Sequence, residues 1–324
     1  MKAPVFIVGC PRSGSSFVYH LLLSAGDFAE FHTQMNVYDV LAPIYGDLGT
    51  VNNRKAAMKE WLGSKAFDVS GLNAEDIESK VMADCSGAGD FLRIVMGEIA
   101  RKQGVDRWID STPTNAFHML RIKRDFPDAL FIHIIRDARD VALSLNSRGW
   151  IRPLPWDKKH SLLAAGLYWK WIVRKARRYG SRLGASYMEL RYEELVRQTR
   201  TSLVQVGSFL QHNLDYDRIQ ARSIGSVKKP LTAFRKELEE GKFAPVGRWK
   251  QQFPADQLGR FECLVGDYLE ELGYALATGQ PAPRVVDKNK RAVYAAYYEL
   301  KQWAKVNTPL SRWMVSYSGI LIDK

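Results

Sequence analysis

Cysteine is scarce in this chain: Cys10, Cys85 and Cys263 are the only three among 324 residues, and they stand far apart. An odd, scattered set argues against a disulfide framework and against any C-x-x-C metal clip, so a reducing cytoplasm is the expected compartment. No apolar run approaches the roughly 20 residues of a membrane span. The opening "MKAPVFIVG" has too short an apolar stretch, and no small-residue cleavage site, to be a secretory signal. Internal repeats and low-complexity tracts are missing too. Acid is in deficit, with 35 Asp and Glu against 47 Lys and Arg and a net charge of +12. That balance favours an anionic partner: nucleotide, nucleic acid, acidic glycan or anionic lipid surface. At 46% hydrophobic and 25% charged, the rest is ordinary globular protein, long enough for one large α/β domain with appended elements.

What is present alternates between strand and helix. "APVFIVG" is a buried parallel strand by its apolar run, and "SSFVYHLLLSAG" after it has helical spacing with Gly26 as a stop. Residues 51–62, 73–82 and 86–103 read as helices, 107–110 as a strand and 114–126 as a helix. "ALFIHIIRD" (129–137) is the clearest strand, and "ARDVALSLNSR" repeats the strand-turn-helix plan. A long helix over 161–183, a strand over 185–192 and a helix over 199–211 come next. This order predicts a parallel sheet with helices on both faces and ligands at the carboxyl ends of its strands. Three Pro- and Gly-bearing segments, 36–50, 149–160 and 230–247, read as functional loops. Residues 278–286 read as a linker to a basic aromatic helix, "KNKRAVYAAYYELKQWAKV".

The first turn holds the main chemical signal. In "GCPRSGSS" Gly9 and Gly14 have the G-x-x-x-x-G spacing of a phosphate loop, but Ser15 stands where a Walker lysine belongs, and the only cation is Arg12. A Gly-containing turn that merely packs a helix has the same spacing. The phosphate reading gains from context, since a strand precedes and a helix succeeds it, and a helix N-terminus offers N–H donors and the positive dipole end. Phosphoryl transfer to or from a triphosphate uses the lysine and Mg²⁺. A sulfuryl group carries less charge, so fixed donors and one or two cations serve without a metal.

At these residues the chain resembles the sulfotransferases that use 3'-phosphoadenosine-5'-phosphosulfate (PAPS). "PRSGSSFVYHLL" is similar to the 5'-phosphosulfate loop of the arginine type, in tyrosylprotein and bacterial carbohydrate-type enzymes. The resemblance implies a P-loop-like three-layer α/β sandwich, with Arg12, Ser13, Gly14, Ser15 and Ser16 at the phosphosulfate. In "IIRDARDVALSLNSR", Ser144 lies eight residues after Arg136, just over two helical turns, and Arg148 one turn further. The resemblance assigns Arg136 and Ser144 to the 3'-phosphate, with Arg148 beside them; the plainer reading pairs Arg136 with Asp140. "LRYEEL" would set Tyr192 against adenine, or Tyr192 is a core residue. "SIGSVKKP" and "VGRWK" resemble the late segment that closes over the 3'-phosphate and nominate Ser223 and Arg248, with Trp249 packing or stacking. One departure is "DSTPTN" (110–115), where Ser111 replaces a lysine of many relatives. Either Ser111 and Thr112 donate to the sulfuryl oxygens, or Arg12 bears most of the charge; a helix cap would use Ser and Thr equally well.

A hydroxyl acceptor needs a base in reach of its proton. "FAEFHTQ" offers Glu30 and His32 on one side of an extended segment, and the resemblance favours Glu30, with His32 next. His118 and His133 read as structural. The expected reaction is direct transfer from PAPS to an acceptor hydroxyl, glycan or glycolipid first and phenols, peptidyl tyrosine or lipid alcohols behind, with no metal and no nucleic acid beyond the nucleotide. Residues 1–277 are expected to form the transferase domain and 278–324 a linker and helical extension. That extension would pack on the core, on a second copy in a homodimer, or against a membrane surface. The other readings are a P-loop kinase or NTPase, which lacks the lysine and a convincing Mg²⁺-binding Asp, and a non-enzymatic binder of anionic surfaces.

Overall fold

In the computed structural model, which describes residues 1–227, 245–279 and 285–315, four short strands run parallel. They are β1 (Val5–Gly9), β2 (Ile109–Asp110), β3 (Leu130–Ile135) and β4 (Tyr187–Arg191), side by side in the order β2-β1-β3-β4. Val5 stands beside Ile109 and Leu130, and Phe131 beside Tyr187. Because successive side chains point to opposite faces, Phe6, Val8, Phe131 and Ile135 enter one core and Val5, Ile7, Ile132 and Ile134 another. Burial on both faces is why the central strands β1 and β3 are almost continuously apolar.

Six helices frame the strand ends and the surfaces around them: α1 (Ser15–Ala25), α2 (Ala138–Ser147), α3 (Ser161–Gly180), α4 (Tyr216–Arg222), α5 (Ala255–Glu271) and α6 (Val285–Asn307). α1, α4 and the helix Thr199–Leu210 cover the Val5 face. α2, α3, α5, the buried tyrosines of α6 and the helices between α1 and β2 cover the Phe6 face. The result is the expected α/β three-layer arrangement. α3 is its central pillar. Gly166 lets α5 approach it, since a Cβ there would lie 2.3 Å from the Phe261 ring.

One face of α6 packs on the core. Tyr294 and Tyr298 are buried, the Tyr298 hydroxyl donates to the Ala164 carbonyl at 2.8 Å and the Tyr294 hydroxyl to Asp157 at 2.8 Å. Lys290 donates to Asp157 and Lys305 to the buried Asp39. At the start of α2, Arg139 is 2% exposed and joins three elements. Its guanidinium donates to Asp137 and to Glu262 of α5, each at 2.7 Å, and lies 3.6 Å from the centroid of the Trp249 ring.

Several sequence expectations change. The segment 36–50 is not all loop: Asn36 takes a left-handed conformation and starts a wide helical turn, Val37–Leu41, that runs into Ala42–Tyr45. Pro43 is tolerated because it sits in a first turn, where its missing N–H has no intrahelical partner anyway. The helix expected over 114–126 breaks at His118 into a tight turn, Pro113–Phe117, and a helix, Met119–Asp125. α4 and α5 add to the expected elements, although Phe261, Leu264, Val265 and Tyr268 have helical spacing. Residues 230–244 of the third loop and 280–284 of the linker lie outside the described residues.

Arg139→Ala leaves the buried Glu262 and Asp137 carboxylates facing each other's element without a cation. Urea unfolding should show a loss of about 3–5 kcal/mol. A loss below about 1 kcal/mol would mean that Arg139 does not hold α5 to α2.

Candidate active site

β1 has a neighbour on each side, and the helices after β1 and β3 leave toward opposite faces of the sheet. The two chain exits therefore diverge and leave a crevice at the carboxyl ends, the usual ligand position in an open α/β sheet. The turn out of β1 lines one side. Arg12 and Gly14 both have positive φ, 72° and 108°, and the Ser13 N–H donates to the Cys10 carbonyl at 3.1 Å. Gly14 is required twice over, because a Cβ there would also lie 2.5 Å from the Tyr192 ring. No side chain caps α1, so its first N–H groups, which have no intrahelical acceptor, point into the crevice. The buried Ser13 hydroxyl has no partner among the described residues.

Arginines converge on this turn. Arg12 Nε donates to Ser144 Oγ of α2 at 3.1 Å, and the guanidinium sits 5.5 Å from the Trp150 ring. Burial, and then the positive charges of Arg148, Arg136 and Arg248, push the Arg12 guanidinium below its usual range. Arg136 is buried, lies 4.4 Å over the Tyr192 ring, and donates to the Pro245 carbonyl at 2.6 Å. The Nε groups of Arg136 and Arg248 are buried donors without a partner among the described residues. Like charges gathered with unused donors form a site for an anion carrying more than one charge. Tyr192 is accordingly not an open face: Gly14 packs against it and Arg136 rests on it.

Asp140 is the member of this group whose part sequence reading missed. It is fully buried in the first turn of α2, 3.6 Å from Arg136. Its two oxygens accept the Gly247 N–H at 2.8 Å and the Trp249 N–H at 2.9 Å. The carboxylate thus clamps the backbone on both sides of Arg248 and sets that residue beside Arg136. The pairing with Arg136 was legible; the clamp, which spans more than 100 residues of sequence, was not.

At the end of β2, Asp110 accepts from the Thr112 N–H, from the Thr112 hydroxyl at 2.6 Å and from the Asn115 amide. Thr112 is therefore engaged by its own turn. Ser111 is buried, and its hydroxyl has no partner among the described residues. Of the two hydroxyls expected near the sulfuryl group, only that of Ser111 remains unengaged. His133 is buried in β3 against the Tyr187 hydroxyl at 2.6 Å, and burial lowers its pKa to about 4. It stays neutral and structural. His118 is structural too, held on Asp39.

Two expected site residues lie elsewhere. The Ala29 N–H donates to the Arg107 carbonyl, and residue 107 precedes β2, level with the start of β1. At about 3.3 Å per residue, this sets the Glu30 backbone roughly 15 Å below the loop along the strand direction. Its carboxylate accepts from Arg222 at 2.6 Å. Glu30 is not brought to Arg12. His32 sits higher, midway to Gln34, whose amide donates to the Ser111 carbonyl at 3.3 Å, and it faces Glu30 at 3.8 Å. Ser223 is also low: its hydroxyl donates to the Gln220 carbonyl, and the Ile224 N–H donates to Ser24 near the end of α1. Three residues on, Ser226 meets the first turns of α1 through the Ser16 carbonyl and His20. Alternation and motif likeness placed these residues on the right segments, but not at the right height.

The model of the sulfotransferase family matches residues 4–216. Two solved structures share the fold. The sulfotransferase domain of the Synechococcus PCC 7002 olefin synthase is 17% identical, over 92% of this chain and 96% of that one, with a TM-score of 0.50. The sulfotransferase domain of the curacin biosynthetic pathway is 14% identical, over 86% and 99%, with a TM-score of 0.52. No protein of curated function matches the sequence.

Asp140→Ala removes the acceptor of two N–H groups. Native-state hydrogen exchange at Gly247 and Trp249 should speed up by tenfold or more, as expected for losing charge-assisted bonds of about 1.5–3 kcal/mol, with β3 amides unchanged. Unaltered protection at both positions would show that the carboxylate does not hold the segment.

Proposed function

The chain belongs to the sulfotransferase family, and we propose that it transfers the sulfuryl group of PAPS to an acceptor hydroxyl, with 3',5'-adenosine bisphosphate as the other product. The observation that carries this is the convergence of Arg12, Arg136, Arg148 and Arg248, with buried donors on Ser13, Arg136 and Arg248 that have no partner among the described residues, around a helix N-terminus without a side-chain cap among them whose loop has no lysine. These residues fit a nucleotide with anionic groups at two places. The loop residues Arg12 to Ser16 would take the 5'-phosphosulfate. Arg136, Arg248, Ser144 and Arg148 would take the 3'-phosphate, with Asp140 fixing Arg248 and Tyr192 carrying Arg136 on its face.

In the transfer, the acceptor oxygen bonds to sulfur as the bond from sulfur to the bridging oxygen breaks. The electron pair stays on the 5'-phosphate, where Arg12 and the first N–H groups of α1 stabilise it. Ser111 would donate to a sulfuryl oxygen in the place where many relatives use lysine. The acceptor's proton goes to His32, which we assign ahead of Glu30 because the Glu30 carboxylate is engaged by Arg222 and lies further from the loop. A glycan or glycolipid hydroxyl is the acceptor class the arginine-type loop favours. Residues 1–277 carry this chemistry, and residues 278–324 are accessory.

Arg136→Ala and Ser144→Ala should each weaken binding of 3',5'-adenosine bisphosphate by tenfold or more while hardly affecting the analogue without the 3'-phosphate, measured by calorimetry. Equal losses for both nucleotides would remove these residues from the 3'-phosphate site. Arg12→Ala should lower kcat far more than nucleotide affinity, since its partner is charge that develops during transfer.

With PAPS and a responsive acceptor, His32→Ala should reduce kcat by about 10² or more with nucleotide affinity retained. Glu30→Gln should stay within a few-fold of the parent enzyme. The opposite pattern returns the base to Glu30; full activity in both variants assigns it to another segment.

A further inference from the structure

α6 has a second apolar face, and nothing among the described residues covers it. Tyr294 and Tyr298 point to the core, while Val293, Ala296, Leu300 and Trp303 recur at spacings of three and four on the opposite side. Leu300 is 65% exposed and Trp303 57%. Beyond α6, the short turn Ser311–Met314 is tied down by the buried Ser311, which donates to the Pro43 carbonyl at 2.7 Å, and leaves Trp313 90% exposed. An exposed run of large apolar side chains on two anchored elements is the kind of surface that meets something else.

Charge selects the partner. Lys288, Lys301 and Arg312 are exposed on these elements, and the only acid over residues 288–315, Glu299, is already engaged by Lys175 and Trp171. The loop 149–160, joined to the inner side of α6 through Asp157, also carries the exposed Trp156, Lys158 and Lys159. A second copy would meet this face through a two-fold axis and set the same cations against each other. An anionic lipid surface instead offers opposite charge to the lysines and an interfacial layer in which tryptophan is favoured. No described helix is long and apolar enough to cross a membrane, so contact is with the surface. We propose that the outer face of α6, with the turn Ser311–Met314, docks the protein on anionic lipid bilayers.

The test uses the full chain and vesicle flotation, which reads binding without catalysis and so stands apart from the proposed transfer reaction. Vesicles of phosphatidylcholine with about a third phosphatidylglycerol should carry the protein, and binding should fall steeply with added salt. Pure phosphatidylcholine vesicles should bind it at least tenfold less. The double variant Leu300→Ser/Trp303→Ser alters only exposed side chains; it should bind the anionic vesicles at least tenfold less while keeping the parent's unfolding midpoint and nucleotide affinity. Trp313→Ser should give an intermediate loss. Failure of the parent chain to float with anionic vesicles overturns the proposal, as does unchanged binding by the double variant. Conversion of a dimer to a monomer by the same substitutions, seen in sedimentation velocity, also overturns it and makes the face an interface between copies.

Discussion

Mutual repulsion among Arg12, Arg136, Arg148 and Arg248 is the constraint around which this molecule is arranged. Burial, and then the charges of the other three, lower the affinity of the Arg12 guanidinium for its proton, and the fold holds Arg12, Arg136 and Arg248 together in a different way for each. Arg12 is turned outward by a left-handed backbone and steadied by the Ser144 hydroxyl. Arg136 lies on the Tyr192 ring and is bonded to a carbonyl. Arg248 is held through its main chain by Asp140. Under the proposed function, a ligand with two anionic groups relieves that repulsion.

Carboxylates enter this arrangement as clamps on backbone more than as direct partners of the site. Asp140 directs both oxygens to N–H groups of the returning segment, so it brings Arg248 in without fully neutralising Arg136. Asp137 and Glu262 are occupied by Arg139, and Asp110 by Thr112 and Asn115. Each of these acids near the strand ends thus has a structural task, and the arginines keep their charge for a ligand. The missing Walker lysine fits the same pattern: the charge of a sulfuryl group is small enough for one loop arginine and a helix N-terminus.

α6 links two surfaces of different character. Its inner tyrosines, hydroxyl-bonded to Asp157 and Ala164, fix the loop that ends beside the site, where Trp150 faces Arg12. Its outer stripe shares the same backbone.

The sheet, its helical layers and the glycine turn after β1 were legible in the sequence because their causes are local. A buried parallel strand must be apolar throughout, a turn with two left-handed residues must carry glycine, and the spacing from Arg136 to Ser144 is just over two helical turns. Three things depended on tertiary structure. The clamp by Asp140 joins residues far apart in sequence, so no local pattern reports it. The heights of Glu30 and Ser223 are set by which carbonyls and hydroxyls their neighbours meet, namely Arg107 and Ser24, and alternation gives a side of a segment, not its distance along a strand. The choice between Ser111 and Thr112 turns on Asp110, which takes one hydroxyl and leaves the other. Sequence determined the kinds of group this site would hold, since those derive from chemistry and period. Folding decided which of them stand free in the crevice, because that depends on the partners each one finds in three dimensions.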